Sequence, residues 1–473
     1  MSRFVMSNSL VDKIHHYASF PQTGVSLQQL VKFGQHPNQG TLLNAAAFLR
    51  EELAIRLSHR VRDLQELPDG LSEMENVKLV RGWYAESFDE LVKFPGLGSL
   101  SLNGELRSLL SGGAKSNKQI NFPSSTPNLA DPKWSSTSST GNTGMGNGNA
   151  SKMRIPIERR YFSPPPAHLA YPPEVHEYND KFTQLLQRIK QRHDPTVTTI
   201  AQGVLEWKKK IGGDVMGRDV QGFLDRFYMS RIGIRFLIGQ HIALNTLQPH
   251  PDYVGIICTR TNVQDVCHEA IENARFVCEE HYALYKGPPI QLLCPRDLHF
   301  PYVPGHLAHI LFELLKNSLR AVVERHGVEN EDDFPPIKVV VVEGKEDLTI
   351  KISDEGGGIP RSAMPQIWTY MYTTMSETQD MEAVAQNDFK APMAGFGYGL
   401  PLSRLYARFF GGDMRLISME GYGTDAYIHL NKLSSSREYR GARMVDGISA
   451  YGKSFWYCRR AATMKDWLYP PVS

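Results

Sequence analysis

Cysteine is scarce in this chain of 473 residues: there are five, at 258, 267, 278, 294 and 458. They are odd in number, widely spaced and form no Cys-x-x-Cys, which argues against zinc and a disulfide framework and fits a reducing compartment. Long apolar runs are missing too. None approaches the roughly 20 residues needed to span a bilayer, so no membrane insertion is expected. Charge of one sign is also lacking. The net charge is +2, and neither nucleic acid nor another strongly polyanionic partner is implied. The opening MSRFVMSNSLVDKIHH contains Arg3 and few acids, but it is too short and weakly amphipathic to identify as a transit peptide.

From about 10 to 110 the pattern is helical, as in LNAAAFLREELAIRLSHRVRDLQEL, where apolar residues recur at three and four. Residues 111–155 are dominated by Ser, Thr, Gly and Asn and read as a disordered insertion or plain linker. Helical periodicity returns over about 173–248. The character then changes. KVVVVE (338–343) and LTIKIS (348–353) predict strands around the turn GKED, and DMRLISM (413–419) and TDAYIHL (424–430) a second pair around EGYG. PLSRLYARFF between the pairs predicts a helix. The expected fold is therefore α+β and multidomain: a helical bundle over 10–255, a mixed α/β domain over 256–434 and a polar tail over 435–473.

HILFELLKNSLRAV (309–322) is the informative helix. At about 100° per residue, His309, Glu313, Lys316, Asn317 and Arg320 share one arc about 100° wide. Ile310, Leu311, Leu314, Leu315, Leu319 and Val322 occupy the other side. Alone, this also describes a solvated surface helix. Downstream, LTIKIS runs into DEGGGIP, which places Asp354, Gly356 and Gly358 at a strand end. Close-spaced glycines there let backbone approach a ligand while the carboxylate accepts a hydrogen bond; an ordinary turn looks the same. GFGYGL (395–400) then sets Gly395, Gly397 and Gly399 before a helix, where exposed N–H groups suit a phosphate. Finally, EGYGTDAYIHL puts Thr424 in a strand after a glycine turn.

The order of these parts resembles the ATP-binding domain shared by histidine kinases, type II topoisomerases, Hsp90 chaperones and MutL, the GHKL superfamily with its α/β sandwich. Within it, HLAHILFELLKNSLRA, YMYTT, AGFGYGLPLSRLYARFFGGD and MEGYGTDAYIHL closely resemble the mitochondrial kinases of 2-oxo acid dehydrogenase complexes. KIHHYASFPQTGVSLQQLVKFG, AQGVLEWK, LDRFYMSRIGIRFLIGQH and Asp466-Trp467 extend the match. YMYTT and the tail look more like the pyruvate dehydrogenase kinases than the branched-chain enzyme.

The resemblance implies an ATP-dependent serine kinase that inactivates the E1 α-subunit of pyruvate dehydrogenase in the mitochondrial matrix. It implies Glu313 as general base, His309 as the group orienting it, and Asn317 as Mg²⁺ ligand. Lys316 and Arg320 are placed to meet phosphate oxygens. Asp354 and Thr424, with Gly356 and Gly358, would form the adenine pocket; Gly395, Phe396, Gly397, Tyr398, Gly399 and Leu400 would form the phosphate loop, with a flexible lid before it. It further implies a pyruvate-like carboxylate at Arg231, Arg235 and His193. Arg231 and Arg235 lie at i and i+4 on an otherwise apolar helix, and Asp225 or another acid could equally satisfy them. Many family members have Arg three residues before that His; this chain has Lys190, a point donor without the bidentate fork. Expected partners are the lipoyl domain of the E2 core and a second copy of the chain, joined through the ATPase domains with Asp466 and Trp467 crossing over.

Three rival readings follow. A branched-chain 2-oxo acid dehydrogenase kinase shares the chemistry. A protein-histidine kinase would use His241 as acceptor. A scaffold would bind nucleotide without transfer. GISAYGKS (447–454) matches the P-loop pattern, but no strand precedes it and Tyr451 puts bulk where backbone should wrap a phosphate.

Overall fold

Polar side chains fix the first helix starts by taking N–H groups that lack an intrahelical partner. Ser7 caps α1 (Asn8–Ala18), Ser26 and Gln29 form a capping box at α2 (Leu27–Gly34), and Asn38 caps α3 (Gln39–Gln65). The computed structural model describes residues 4, 6–35, 37–100, 171–211, 217–372 and 397–432. The 111–155 stretch, the segment 373–396 with Gly395 and Phe396, and the tail with Asp466 and Trp467 lie outside the described residues.

Helices α4 (Glu75–Lys93), α5 (Pro173–Arg192), α6 (Thr196–Ile211) and α7 (Arg218–Thr246) complete the helical region. Leu43, Leu53, Tyr84, Phe88, Phe182 and Phe227 fill its centre and are almost wholly buried. Each such side chain stabilises by about 1.5–3 kcal/mol relative to exposure. One ion pair sits in this core: Glu52 accepts from Arg56 Nε at 2.8 Å and from the Thr23 N–H at 2.8 Å. These bonds compensate the cost of burying the charges.

The mixed region follows. Strands β1 (Tyr253–Val254), β2 (Ile257–Asn262) and β4 (His299–Tyr302) make a small antiparallel sheet in the order β1-β2-β4. Helix α8 (Val263–Tyr282), strand β3 (Ile290–Leu293) and helix α9 (Pro304–His326) lie around it in the chain. The larger sheet has the order β3-β5-β6-β8-β7, with β5 (Ile337–Glu343), β6 (Asp347–Asp354), β7 (Asp413–Met419) and β8 (Gly423–Asn431). β3 pairs parallel to β5; the other pairs are antiparallel. The two predicted hairpins form where the strand runs and their turns placed them. Strands β1 to β4 were not predicted: all are short, and β3 and β4 pair with strands distant in sequence.

Ile350, Ile352, Met414 and Ile428 project from the larger sheet into the core, together with Leu311, Leu315 and Leu319 of α9. Helix α10 (Gly399–Phe409) packs against both α9 and α7. Phe236 of α7 meets Phe409 and Phe410 edge-on, with ring centroids 5.8 and 5.3 Å away. The helical region therefore bears directly on the helices that carry the candidate site.

Candidate active site

Helix α9 begins with Pro304 in its first turn, where the missing N–H costs nothing. Its polar arc is not a solvated face: the side chains of Glu313, Lys316 and Arg320 are only 14, 5 and 15% exposed. Glu313 Oε1 lies 3.1 Å from Lys316 Nζ, and that ammonium stands over the Phe312 ring, 5.3 Å from its centroid. Arg320 Nε donates to Glu324 Oε1 at 2.7 Å. Both cations expected at phosphate oxygens are thus engaged on their own helix. Asn317 is half-buried, and its amide takes no hydrogen bond among the described residues.

His309 lies one turn before Glu313, with its ring against Tyr406 at 4.7 Å. Among the described residues no hydrogen bond joins it to Glu313, and its Nε2 has no partner. Lys316 is the cation on that carboxylate. Burial holds the His309 imidazole below its usual range, against the opposing pull of Glu313. A neutral imidazole one turn from a carboxylate can still receive or return a proton.

The later loops close onto this helix. A methyl at Gly399, the first residue of α10, would collide with Glu313 Oε2. Gly397 has φ +74 and lies against the Tyr372 backbone, a conformation that favours glycine. Tyr398 is buried beside Tyr370 and Tyr228, with ring centroids at 5.1 and 5.7 Å; Leu400 packs on the core. Gly356 abuts α9 so closely that a methyl there would meet Ala321. Ala321 sits between Ser318 and Asn317 on the helical wheel, so the Asp354 loop adjoins the polar arc along one flank. Gly358 has φ +71, and its close approach is to the Met419 carbonyl of the β7–β8 turn. Arg325 ties these parts together: its Nη1 donates to Glu355 O at 3.1 Å and its Nη2 to Gly421 O at 2.8 Å.

Asp354 ends β6 and is buried. Its Oδ1 accepts the Gly356 N–H at 3.0 Å and the Thr424 N–H at 3.2 Å; its Oδ2 accepts the Ser318 hydroxyl at 2.8 Å. Burial pushes the carboxyl up, and these three donors pull it back. Thr424 pairs with Asp354 across the sheet, and its Oγ1 lies 2.9 Å from Ser418 Oγ. Ser318 was missed by the sequence reading. The signal was present: it lies directly opposite the polar arc, among leucines, where a hydroxyl needs a buried partner.

The second predicted site lies in the helical region. Arg235 Nη1 pairs with Asp194 Oδ1 at 2.6 Å, and Arg231 Nη2 donates to the carbonyls of Asp194 and His193 at 3.3 and 3.4 Å. Arg231 Nε is buried without a partner among the described residues. His193 stacks on Tyr84, centroids 4.3 Å apart, and its Nε2 lies 3.0 Å from Ser87 Oγ. Asp225 is not the partner of these arginines; it accepts the Tyr370 hydroxyl at 2.8 Å. His241 is 2% exposed and lines an apolar pocket with Leu30, Phe33, Phe48, Leu49 and Leu244.

Comparison with known proteins places this geometry. Residues 24–258 match the profile of the mitochondrial branched-chain alpha-ketoacid dehydrogenase kinases, and 302–434 that of the histidine kinase-, DNA gyrase B- and HSP90-like ATPases. The mitochondrial [pyruvate dehydrogenase (acetyl-transferring)] kinase of Schizosaccharomyces pombe is 44% identical over 436 residues, covering 92% of this chain and 99% of that protein. The Arabidopsis thaliana kinase of the same name is 38% identical over 91% of this chain and 96% of its own. Human isozyme 3 is 33% identical over 99% of this chain and 96% of its own. With the same ATPase domain placed behind a helical region, this chain belongs to the family of mitochondrial pyruvate dehydrogenase kinases.

Proposed function

We propose that this protein is an ATP-dependent serine kinase that phosphorylates and inactivates the E1 α-subunit of pyruvate dehydrogenase in the mitochondrial matrix. The observation that carries the reading is the convergence on α9. Glu313 meets Gly399, the Asn317 amide takes no partner among the described residues, and Asp354 is held against the same helix through Ser318. Asp354 accepts from the adenine amino group, with the Thr424 backbone fixing its other oxygen. Glu313 takes the proton from the substrate serine, a poor nucleophile unaided, as its oxygen bonds the phosphorus and ADP leaves. The first N–H groups of α10 offer donors to phosphate oxygens.

Asn317 fits a magnesium ion. Its carbonyl oxygen is a hard ligand, and among the described residues no three His, Cys, Asp or Glu side chains converge as an all-protein cage. Such an ion, when bound, supplies charge neutralisation on the transferred phosphate. Arg231, Arg235 and His193 are read as a carboxylate-sensing site; the unpartnered Arg231 Nε supports this, whereas Asp194 competes for Arg235. The lipoyl domain of the E2 core is the partner proposed for the helical region, where Phe33 and Phe48 line a small apolar pocket. The outer face of β7 exposes Ile417 and Met419, which supports a homodimer.

The branched-chain kinase remains a second reading, because the profile over 24–258 carries that name. His241 is a poor phosphoacceptor, since its ring is buried among apolar side chains. Incubation with γ-labelled ATP and each E1 in turn separates the readings. Label on pyruvate dehydrogenase E1 α, with loss of its activity, is expected. Label confined to the branched-chain E1 favours the second reading, and label on neither contradicts a kinase.

A further inference from the structure

We propose that Ser318 sets the base specificity of the nucleotide pocket: its hydroxyl holds Asp354 as an acceptor and so selects a purine with an amino group at position six. The inference rests on the nucleotide-binding reading above and extends it to the buried face of α9.

Ser318 is 7% exposed, and its Oγ donates to Asp354 Oδ2 at 2.8 Å. Two backbone N–H groups, of Gly356 and Thr424, hold Oδ1. Those two donors persist whatever side chains surround them. Ser318 is the one side-chain donor to this carboxylate among the described residues, and it fixes the second oxygen and hence the carboxylate plane. An ionised carboxylate only accepts, so it pairs with the amino group of adenine. A protonated one can donate, and then accommodates the carbonyl of a six-oxo purine.

The surroundings leave this balance open to one hydrogen bond. Asp354 is buried, and Asp425 of β8 disfavours its charge further. On the helix side, Ala321 packs against the loop, and the Arg325 guanidinium is occupied by the carbonyls of Glu355 and Gly421. Without the serine hydroxyl, only the two backbone donors hold the ionised form. Hydrogen bonds to charged groups are strong enough for such a loss to change affinity about tenfold.

Equilibrium binding of ADP and inosine diphosphate to the full chain tests this, with Ser318→Thr and Ser318→Val compared because they are close in volume and differ in the hydroxyl. Wild type and Ser318→Thr should prefer ADP. Ser318→Val and Ser318→Ala should lose about tenfold in ADP affinity, with little loss for inosine diphosphate, so that the preference collapses. A role confined to packing would lower the melting temperature of Ser318→Val and leave the ratio of the two affinities unchanged; that result overturns the proposal. If wild type binds neither nucleotide, the nucleotide-site reading falls with it, whereas binding with an unchanged ratio removes Ser318 alone.

Discussion

His193, His241 and His306 are buried, and loss of water drives each imidazole down to about 3. An unfolded histidine takes its proton near about 6.5. Between those values the unfolded chain binds more protons than the folded one, so stability falls as pH drops and is fully present only above about 6.5. Each ring contributes about 1.4 kcal/mol per pH unit inside that window. Melting should therefore occur at clearly lower temperature at pH 5.5 than at pH 7.5. His241→Leu should lessen this dependence and raise stability at both values, because neither ring nitrogen has a partner among the described residues. An unchanged slope in that variant would mean that His241 protonates in the folded state. At this scale the sequence singled out Glu313, Asn317 and Asp354 as the residues to follow. It did not show their partners: Asp194 rather than Asp225 on Arg235, Lys316 rather than His309 on Glu313, and Ser318 on Asp354. Such choices depend on side-chain directions that spacing alone does not fix.

Glycines decide how closely the elements can approach. At Gly358 a side chain meets two obstacles, a left-handed φ of +71 and the Met419 carbonyl. At Gly421 φ is +83, yet nothing lies within 4 Å of an added Cβ. Gly358→Ala should therefore cost more than the about 1–3 kcal/mol typical of backbone strain alone, and Gly421→Ala about that or less. Denaturant unfolding of the two variants measures the difference. Equal losses would show that the collision is relieved by local movement. The hairpins β5–β6 and β7–β8 were legible because their runs are rich in β-branched and apolar residues and their turns are marked by Gly. Helix α10 was placed within two residues of its observed bounds. β3, with the sequence IQLL, has no period to read; it exists because β5 offers a parallel edge.

For the molecule as a whole, the outer sheet face is a surface on which apolar side chains remain exposed in one copy of the chain. Ile417 and Met419 on β7 and Val342 on β5 are each more than half exposed. If the proposed homodimer joins through this face, the paired substitutions Ile417→Asp and Met419→Asp should shift it to monomer in sedimentation while leaving the fold intact; an unaltered dimer would place the interface elsewhere. The order of helical region and ATPase domain was legible throughout, because it rests on changes of period that no single contact can disguise. The catalytic reading depends on one helix serving base, metal and nucleotide together, and Glu313 is its most exposed point of failure. Glu313→Gln keeps the shape beside Gly399 and removes the proton acceptor. Transfer of γ-labelled phosphate to pyruvate dehydrogenase E1 α, measured with ADP affinity on the same preparation, is the direct test. Labelling should fall by about 10²–10⁴-fold with ADP affinity retained; labelling at the wild-type rate would contradict Glu313 as the base.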